Sequence, residues 1–268
     1  MAKFDGSLLV SDMDGTLLDS AHEISRENTE AIKYFTDNGG LFTVASGRMV
    51  RAIALYADRI NINAPVISFN GAAVYDTAGK KLLKSMPHEA DIPALVSGLA
   101  ENFPELGIEV FTIDEMYICR GSDVTRLHCE IIRAPYALSD VRDIKGECMK
   151  LNLTQEPSYL ERVERYLNER WPGMFCIVHT EAHYLELMRP GVNKGRGLSA
   201  VAEILNIARE RVCAVGDYFN DAEMLEFAGI AVAPANACPQ IKDIADVVVS
   251  SNDEHAVREA VIYLESIS

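Results

Sequence analysis

Paired cysteines, basic residues and long apolar runs are what this sequence is short of. Its six cysteines (119, 129, 148, 176, 213 and 238) lie far apart and never form a Cys-x-x-Cys pair. That removes the spacing of a zinc site or a disulfide framework and reads as reduced, mostly buried thiols of a cytoplasmic protein. No apolar run approaches the ~18–20 residues of a membrane span. The stretch 8–10 near the start is shorter than the ~7–15 residues of a signal-peptide core, so neither a membrane nor a secreted protein is expected. Lys and Arg number 25 against 40 Asp and Glu, a net charge of −15. Such a surface repels phosphate backbones, so nucleic acid is not an expected partner, while a small anion needs a local cation or metal.

What is present is a globular composition, 49% hydrophobic and 24% charged over 268 residues. At ~150 residues per domain this is one large or two modest domains, long enough to bury a core without a disulfide or structural metal. The first part alternates strand and helix. Leu8-Leu9-Val10-Ser11-Asp12 is an apolar run broken at Asp14-Gly15, a turn signal. Ser25 caps a helix stopped by Asn38-Gly39-Gly40. Leu41-Phe42-Thr43-Val44-Ala45 and Pro65-Val66-Ile67-Ser68-Phe69 are further strands, with Asn70-Gly71 turning the chain. The last part repeats this rhythm through Val212-Cys213-Ala214-Val215. The pattern predicts an α/β core built on a mostly parallel sheet with helices on both faces.

The middle differs. Cys148-Met149-Lys150-Leu151-Asn152-Leu153 and His183-Tyr184-Leu185-Glu186-Leu187 alternate in polarity, which predicts an antiparallel sheet with one wet face. Helices near 92–103, 122–132 and 158–170 are expected on its other face. The reading is a core made of 1–83 and 189–268, with 84–188 inserted as a second α/β domain.

Four features fall at strand ends or helix starts. Asp12 and Asp14 stand two apart after the first strand. Ser46-Gly47-Arg48 follows the second. Asn193-Lys194-Gly195 sets a lysine at a helix start. Gly216-Asp217-Tyr218-Phe219-Asn220-Asp221 puts a second acid cluster after another buried strand. Ligands of open α/β sheets bind at such strand ends. Each feature alone also reads as an acidic turn, a glycine turn or a surface lysine; together they are harder to explain as accidents. Arg48 and Arg189 have two open readings, contact with an anionic substrate or ion pairing on an acidic surface.

With these residues in place, the chain resembles the haloacid dehalogenase superfamily, in its Cof-like phosphatase branch. The likeness rests on Asp-Met-Asp-Gly-Thr-Leu-Leu from Asp12, Ser-Gly-Arg from Ser46, Lys194 and Gly-Asp-Tyr-Phe-Asn-Asp from Gly216. The stretch from Ser68 to Ala72, Asn236-Ala237 and Ser251-Asn252-Asp253 add to it. The resemblance implies a Rossmann-like core with an inserted cap that closes on the substrate and sets specificity. It implies hydrolysis of a small phosphorylated metabolite, a sugar phosphate or a phosphorylated cofactor, through an aspartyl-phosphate. Asp12 is then the nucleophile and Asp14 the general acid/base, for which a raised pKa or a protected proton is expected. Mg²⁺ is held by Asp12, Asp217 and the Asp14 carbonyl, with Asp221 in the outer shell; oxygen-only donors suit that ion. Ser46, Gly47, Lys194 and Asn220 bind the phosphoryl group. A phosphotransferase or mutase, and a sensor without turnover, remain alternatives. Two departures stand out: bulky Tyr218 and Phe219, and Glu254-His255-Ala256-Val257 where the branch usually has a Gly-Val pair. Sequence names neither the metabolite nor the oligomeric state.

Overall fold

The computed structural model describes residues 2–57, 59–132 and 135–267, the side chains of 131, 132, 180 and 181 aside. In chain order its elements begin with β1 (Leu8–Ser11), α1 (Arg26–Asp37), β2 (Leu41–Val44), α2 (Val50–Ala57), β3 (Val66–Ser68), β4 (Ala73–Asp76) and β5 (Lys81–Ser85). They continue as α3 (Ile92–Asn102), β6 (Gly107–Phe111), β7 (Met116–Arg120), α4 (Asp123–Ile132), β8 (Tyr136–Leu138), β9 (Lys150–Thr154), α5 (Pro157–Arg170), β10 (Cys176–Glu181) and β11 (Tyr184–Met188). They end as α6 (Lys194–Leu205), β12 (Val212–Val215), α7 (Ala222–Phe227), β13 (Ile230–Pro234), α8 (Pro239–Ile244), β14 (Val247–Val249) and α9 (Ala256–Ser266). The chain divides into two compact units. One comprises Met1–Arg48, Ile53–Lys84 and Asn193–Ser268; the other comprises Met49–Ala52 and Ser85–Val192. Among the described residues no helix is long and apolar enough to cross a membrane.

In the first unit a parallel sheet runs β14-β13-β12-β1-β2. β1 reads as an unbroken apolar run because both of its faces are covered. Leu9 turns to a cluster with Phe35 of α1, Phe42, Val215 and Val261 of α9. Leu8 and Val10 turn to the opposite cluster with Leu198 and Val201 of α6, Leu225 of α7 and Ile241 of α8. Each such side chain contributes about 1.5–3 kcal/mol by leaving water. Helix α1 starts where the sequence predicts: Ser25 Oγ accepts from the Asn28 N–H at 3.1 Å. It ends before Gly39, whose φ of +89° suits glycine. Ala45 and Ile67 form a parallel bridge beyond β2, after which β3-β4-β5 form a separate small sheet with β3 and β4 antiparallel.

The second unit holds a six-stranded sheet, order β10-β11-β9-β6-β7-β8, antiparallel except for β7–β8. Alternation holds along its strands. Ile108, Val110, Leu151, Leu153, Leu185 and Leu187 pack with Leu99 of α3 and with Leu160, Val163 and Leu167 of α5. Two expectations fail here. The polar face is not wet: Glu109, Lys150, Asn152 and Glu186 are all buried. Nor do the three helices share a face, because α4 lies on the polar side, where His128 Nδ1 meets Glu109 at 3.0 Å and Thr125 Oγ1 meets Thr154 Oγ1 at 2.7 Å. Polar residues alternating with apolar ones mark a second face, and burial of that face needs only that its polar groups find partners.

Close packing of α6 depends on glycine. A Cβ at Gly195 would lie 2.3 Å from the Glu223 carbonyl oxygen of α7, a backbone atom that cannot swing aside. Gly195→Ala should therefore lower the thermal unfolding midpoint. Overpacking costs about 1–3 kcal/mol, against about 1 kcal/mol gained in helix propensity. Gly121→Ala, where a Cβ meets nothing within 4 Å, should leave the midpoint within a degree or two of the parent. Equal midpoints for the two variants would contradict this packing.

Candidate active site

The carboxyl ends of β1, β2 and β12 and the start of α6 bring together residues far apart in sequence. Asn193 caps α6, its side chain accepting from the Arg196 N–H at 2.8 Å, and this fixes Lys194 on the first turn. The Lys194 ammonium is buried and donates to Asp12 Oδ1 at 2.6 Å and to Asp221 Oδ1 at 2.7 Å. Asp221 Oδ2 accepts from the backbone N–H groups of Asp217 and Tyr218 at 3.0 and 3.1 Å. Asp221 is thus tied on both oxygens. Asp217 Oδ1 accepts from Thr16 Oγ1 at 2.8 Å.

Oxygens of Asp12, Asp217 and Asp221 lie within 4.8 Å of one another. Burial and the charges of Asp221 and Asp217 push the Asp12 carboxyl well above the ordinary value, more than Lys194 pulls it down. Burial and Asp221 likewise push Asp217 up to about 6, against the Thr16 hydrogen bond and Lys194. Burial acts to lower Lys194, but Asp12 and Asp221 outweigh it and hold the ammonium charged. Three carboxylates face one ammonium, leaving two negative charges uncompensated, and the donors are all oxygen. A divalent hard cation fits this set.

Asp14 behaves otherwise than the sequence reading required. Arg48 grips it with two parallel bonds, Nε to Oδ2 at 2.8 Å and an NH2 nitrogen to Oδ1 at 2.6 Å. His22 Nδ1 lies 3.6 Å from Oδ1. Burial raises the Asp14 carboxyl, but the Arg48 hydrogen bonds and charge, with His22, hold it below the usual carboxylate value. Both arginines are thus ion-paired, Arg48 with Asp14 and Arg189 with Glu89 at 2.5 Å, the second of the two open readings.

Ser46 is buried, and its Oγ accepts from the Arg48 N–H at 3.1 Å, leaving the hydroxyl proton to donate. Gly47 lies against Asn70: a Cβ there would sit 3.1 Å from Asn70 Nδ2. Asn220 Nδ2 donates to Asn70 Oδ1 at 3.2 Å. The backbone passes through left-handed conformation at Phe69, Asn70 and Gly71, with φ of 51°, 52° and 99°, a strained run held by the Asn70 N–H to Ser46 carbonyl bond of 2.9 Å.

Sequence reasoning gave no role to Thr16, Asn70, Asn236 or Asn252, although all four stand in the quoted motifs. Asn236 Nδ2 donates to the Gly15 carbonyl at 2.8 Å, its Oδ1 accepts from the Asn252 N–H at 2.9 Å, and Asn252 Nδ2 donates to the Leu18 carbonyl at 3.0 Å. The tail thereby pins the loop carrying Asp14. The signal was present as asparagines beside turns. Tyr218 and Phe219 are half-exposed and meet edge to face at 4.9 Å. His255 occupies a left-handed position, φ 70°, and its imidazole lies 3.8 Å from Glu27.

A parallel α/β sheet ending in a buried Asp–Lys–Asp cluster is the setting the chain shares with a known class of hydrolases. The chain belongs to the haloacid dehalogenase-like hydrolases, whose family profile matches residues 9–261. It is an enzyme of their phosphatase kind, the name that two of its curated relatives from Bacillus subtilis carry. It is 27% identical to the 5-amino-6-(5-phospho-D-ribitylamino)uracil phosphatase YitU of Bacillus subtilis, covering 93% of this chain and 94% of that protein. It is 29% identical to phosphatase YwpJ of the same organism, covering 96% and 99%. A crystal structure of a haloacid dehalogenase-like hydrolase from Bacteroides thetaiotaomicron superposes with a TM-score of 0.89 at 28% identity, over 96% of this chain and 99% of that one.

The Arg48–Asp14 pair predicts a titration. Because folding lowers the Asp14 pKa from its ordinary 3.8, its ionisation stabilises the native state above about pH 4, and that stability is lost as pH falls through the folded value. In Arg48→Met burial acts without its main opponent, so the Asp14 carboxyl should titrate higher than in the parent. A ¹³C NMR titration of Asp14 checks this; an unmoved midpoint would mean that Arg48 is not the cause.

Proposed function

We propose that this chain is a Mg²⁺-dependent phosphatase that hydrolyses a small phosphorylated metabolite through an aspartyl-phosphate. The observation that carries it is the Asp12–Lys194–Asp221 cluster beside Asp217, a buried set two negative charges in excess. Asp12, Asp217 and the Asp14 carbonyl would hold the metal ion, with Asp221, already bonded on both oxygens, in the outer shell. When bound, the ion offsets repulsion between carboxylate and phosphate and polarises the phosphoryl oxygens.

The chain's own residues supply the rest. Lys194 holds one oxygen of Asp12, which leaves the other to attack phosphorus as the bond to the ester oxygen breaks. Asp14 gives a proton to that leaving oxygen, then takes one from the water that opens the aspartyl-phosphate. The pair with Arg48 keeps Asp14 in the base form the second step uses; the acid form needs that pair to open. The Ser46 hydroxyl, Gly47 amide, Lys194 and Asn220 meet charge as it spreads over the phosphoryl oxygens. The inserted segment 84–188 acts as the cap that reads the leaving group and excludes water. The name of the Bacillus subtilis relative supports an organic phosphate monoester with a hydroxylated leaving group. Six free thiols fit a cytoplasmic enzyme.

Turnover of para-nitrophenyl phosphate should vanish in EDTA and return with Mg²⁺, and return poorly with Ca²⁺, whose larger, looser shell misplaces in-line attack. Full turnover after rigorous metal removal would overturn the metal assignment. Asp12→Asn should lose nearly all turnover, and Asp14→Asn should lose about 10²–10⁴-fold. Wild-type turnover in Asp12→Asn would exclude the covalent route. Product analysis with added sugar acceptors separates hydrolysis from phosphoryl transfer.

A further inference from the structure

The left-handed turn Phe69–Asn70–Gly71 has no part in the chemistry assigned to the catalytic unit, yet it touches three segments from which the phosphoryl site is built. The Phe69 N–H donates to the Arg48 carbonyl at 3.2 Å and the Asn70 N–H to the Ser46 carbonyl at 2.9 Å. The turn is thereby bound to the loop that carries Ser46 and Gly47. Gly71 packs on the residue before Lys194: a Cβ there would lie 2.0 Å from the Asn193 carbonyl oxygen. Asn70 Oδ1 accepts from Asn220 Nδ2 at 3.2 Å, and the same amide lies so close to Gly47 that a Cβ would meet its nitrogen at 3.1 Å.

Two residues of this turn are not glycine, and a bulky side chain at φ 51° is uncommon. Such strain persists where the surroundings over-determine it, and it collects at functional sites. Asn70 is only 3% exposed, so its bond to Asn220 is shielded from competing water. An amide NH2 carries two hydrogens. The bond to Asn70 takes one of those of Asn220, fixes the plane of the group and leaves the other for an acceptor. A side chain held this way does not have to lose rotational freedom when a phosphate arrives. Ser46 and Lys194 are held by their own bonds to Arg48, Asp12 and Asp221, and Gly47 acts through its backbone. Asn220 is the ligand whose direction depends on Asn70.

We propose that Asn70 is a positioning residue that orients the Asn220 amide for the phosphoryl group and holds it in step with the Ser46–Gly47 loop and the start of α6. Its effect on turnover rests on the phosphatase reading; the orientation of Asn220 by Asn70 does not.

The test uses the full chain, Asn70→Gly, Asn220→Ala and the double variant, each checked for folding by thermal melting. Glycine adopts the positive φ without strain, so the turn keeps its path and loses only the side chain. Hydrogen exchange of the Asn220 side-chain amide is followed by ¹H–¹⁵N NMR, and kcat and KM are measured for para-nitrophenyl phosphate with Mg²⁺. Asn70→Gly should speed exchange of the Asn220 amide and lower kcat/KM about 3- to 10-fold, the size of a lost neutral hydrogen bond. In the Asn220→Ala background the same change should cost less than about twofold, because residues that act through one another do not add. Asn70→Asp keeps an oxygen acceptor and tolerates the left-handed backbone, so it should retain the slow exchange of the parent. Equal losses of kcat/KM in both backgrounds, or an Asn220 amide that exchanges alike in the parent and Asn70→Gly, overturn the proposal. Faster exchange in Asn70→Gly alone, with no turnover by any of the proteins, would sustain the positioning of Asn220 and remove the phosphatase reading.

Discussion

A single buried ammonium organises the catalytic unit. Lys194 joins Asp12 at the end of β1 to Asp221 at the start of α7, so three segments separated by up to 209 positions (221 − 12) converge on one cation. Taking such charges out of water is costly, and removing one partner typically costs about 3–5 kcal/mol because the others are left buried and unbalanced. The surrounding geometry follows from meeting that demand. Asn193 caps α6 so that its first turn presents Lys194, Gly195 lets α6 approach α7, and the backbone N–H groups of Asp217 and Tyr218 occupy the remaining oxygen of Asp221. The cluster keeps an excess of negative charge that a divalent cation would offset.

A second constraint sets Asp12 and Asp14 in different surroundings although they lie two residues apart. Asp12 faces the interior, where burial and like charge dominate; Asp14 faces Arg48, where a bidentate guanidinium dominates. Opposite environments push the two groups in opposite directions, Asp12 up and Asp14 down. The network of Asn236 and Asn252 serves that division by fixing the carbonyls of Gly15 and Leu18 on either side of the turn after Asp14.

Much of this was legible in the sequence where information is local. An apolar run ending in Asp12-x-Asp14, a helix opened by Asn193-Lys194 and a cap at Ser25 each follow from periodicity and turn chemistry over a few residues. The fold class was legible for the same reason. Pairings across space were not. Nothing near Arg48 says that its partner is Asp14, 34 residues earlier, and a paired arginine has the same sequence signature as a free one. The polar face of the second sheet was misread because alternation reports which residues share a face and carries no record of whether that face meets water.

The interrupted layout of the catalytic unit also sets an order of events during synthesis. Strand β1 lies between β2 and β12, and the residues of the second unit are made between those two neighbours. A ribosome therefore releases Asp12 with one flanking strand available and its cation still about 180 residues from being made, a separation given by the Asp12–Lys194 bond itself. The inserted unit has its own sheet and apolar cluster and reaches completion first. The catalytic unit closes last, when β12 slides in beside β1 and Lys194 neutralises a carboxylate that has waited through most of translation. Until then the growing chain holds Asp12 without the ammonium that balances it.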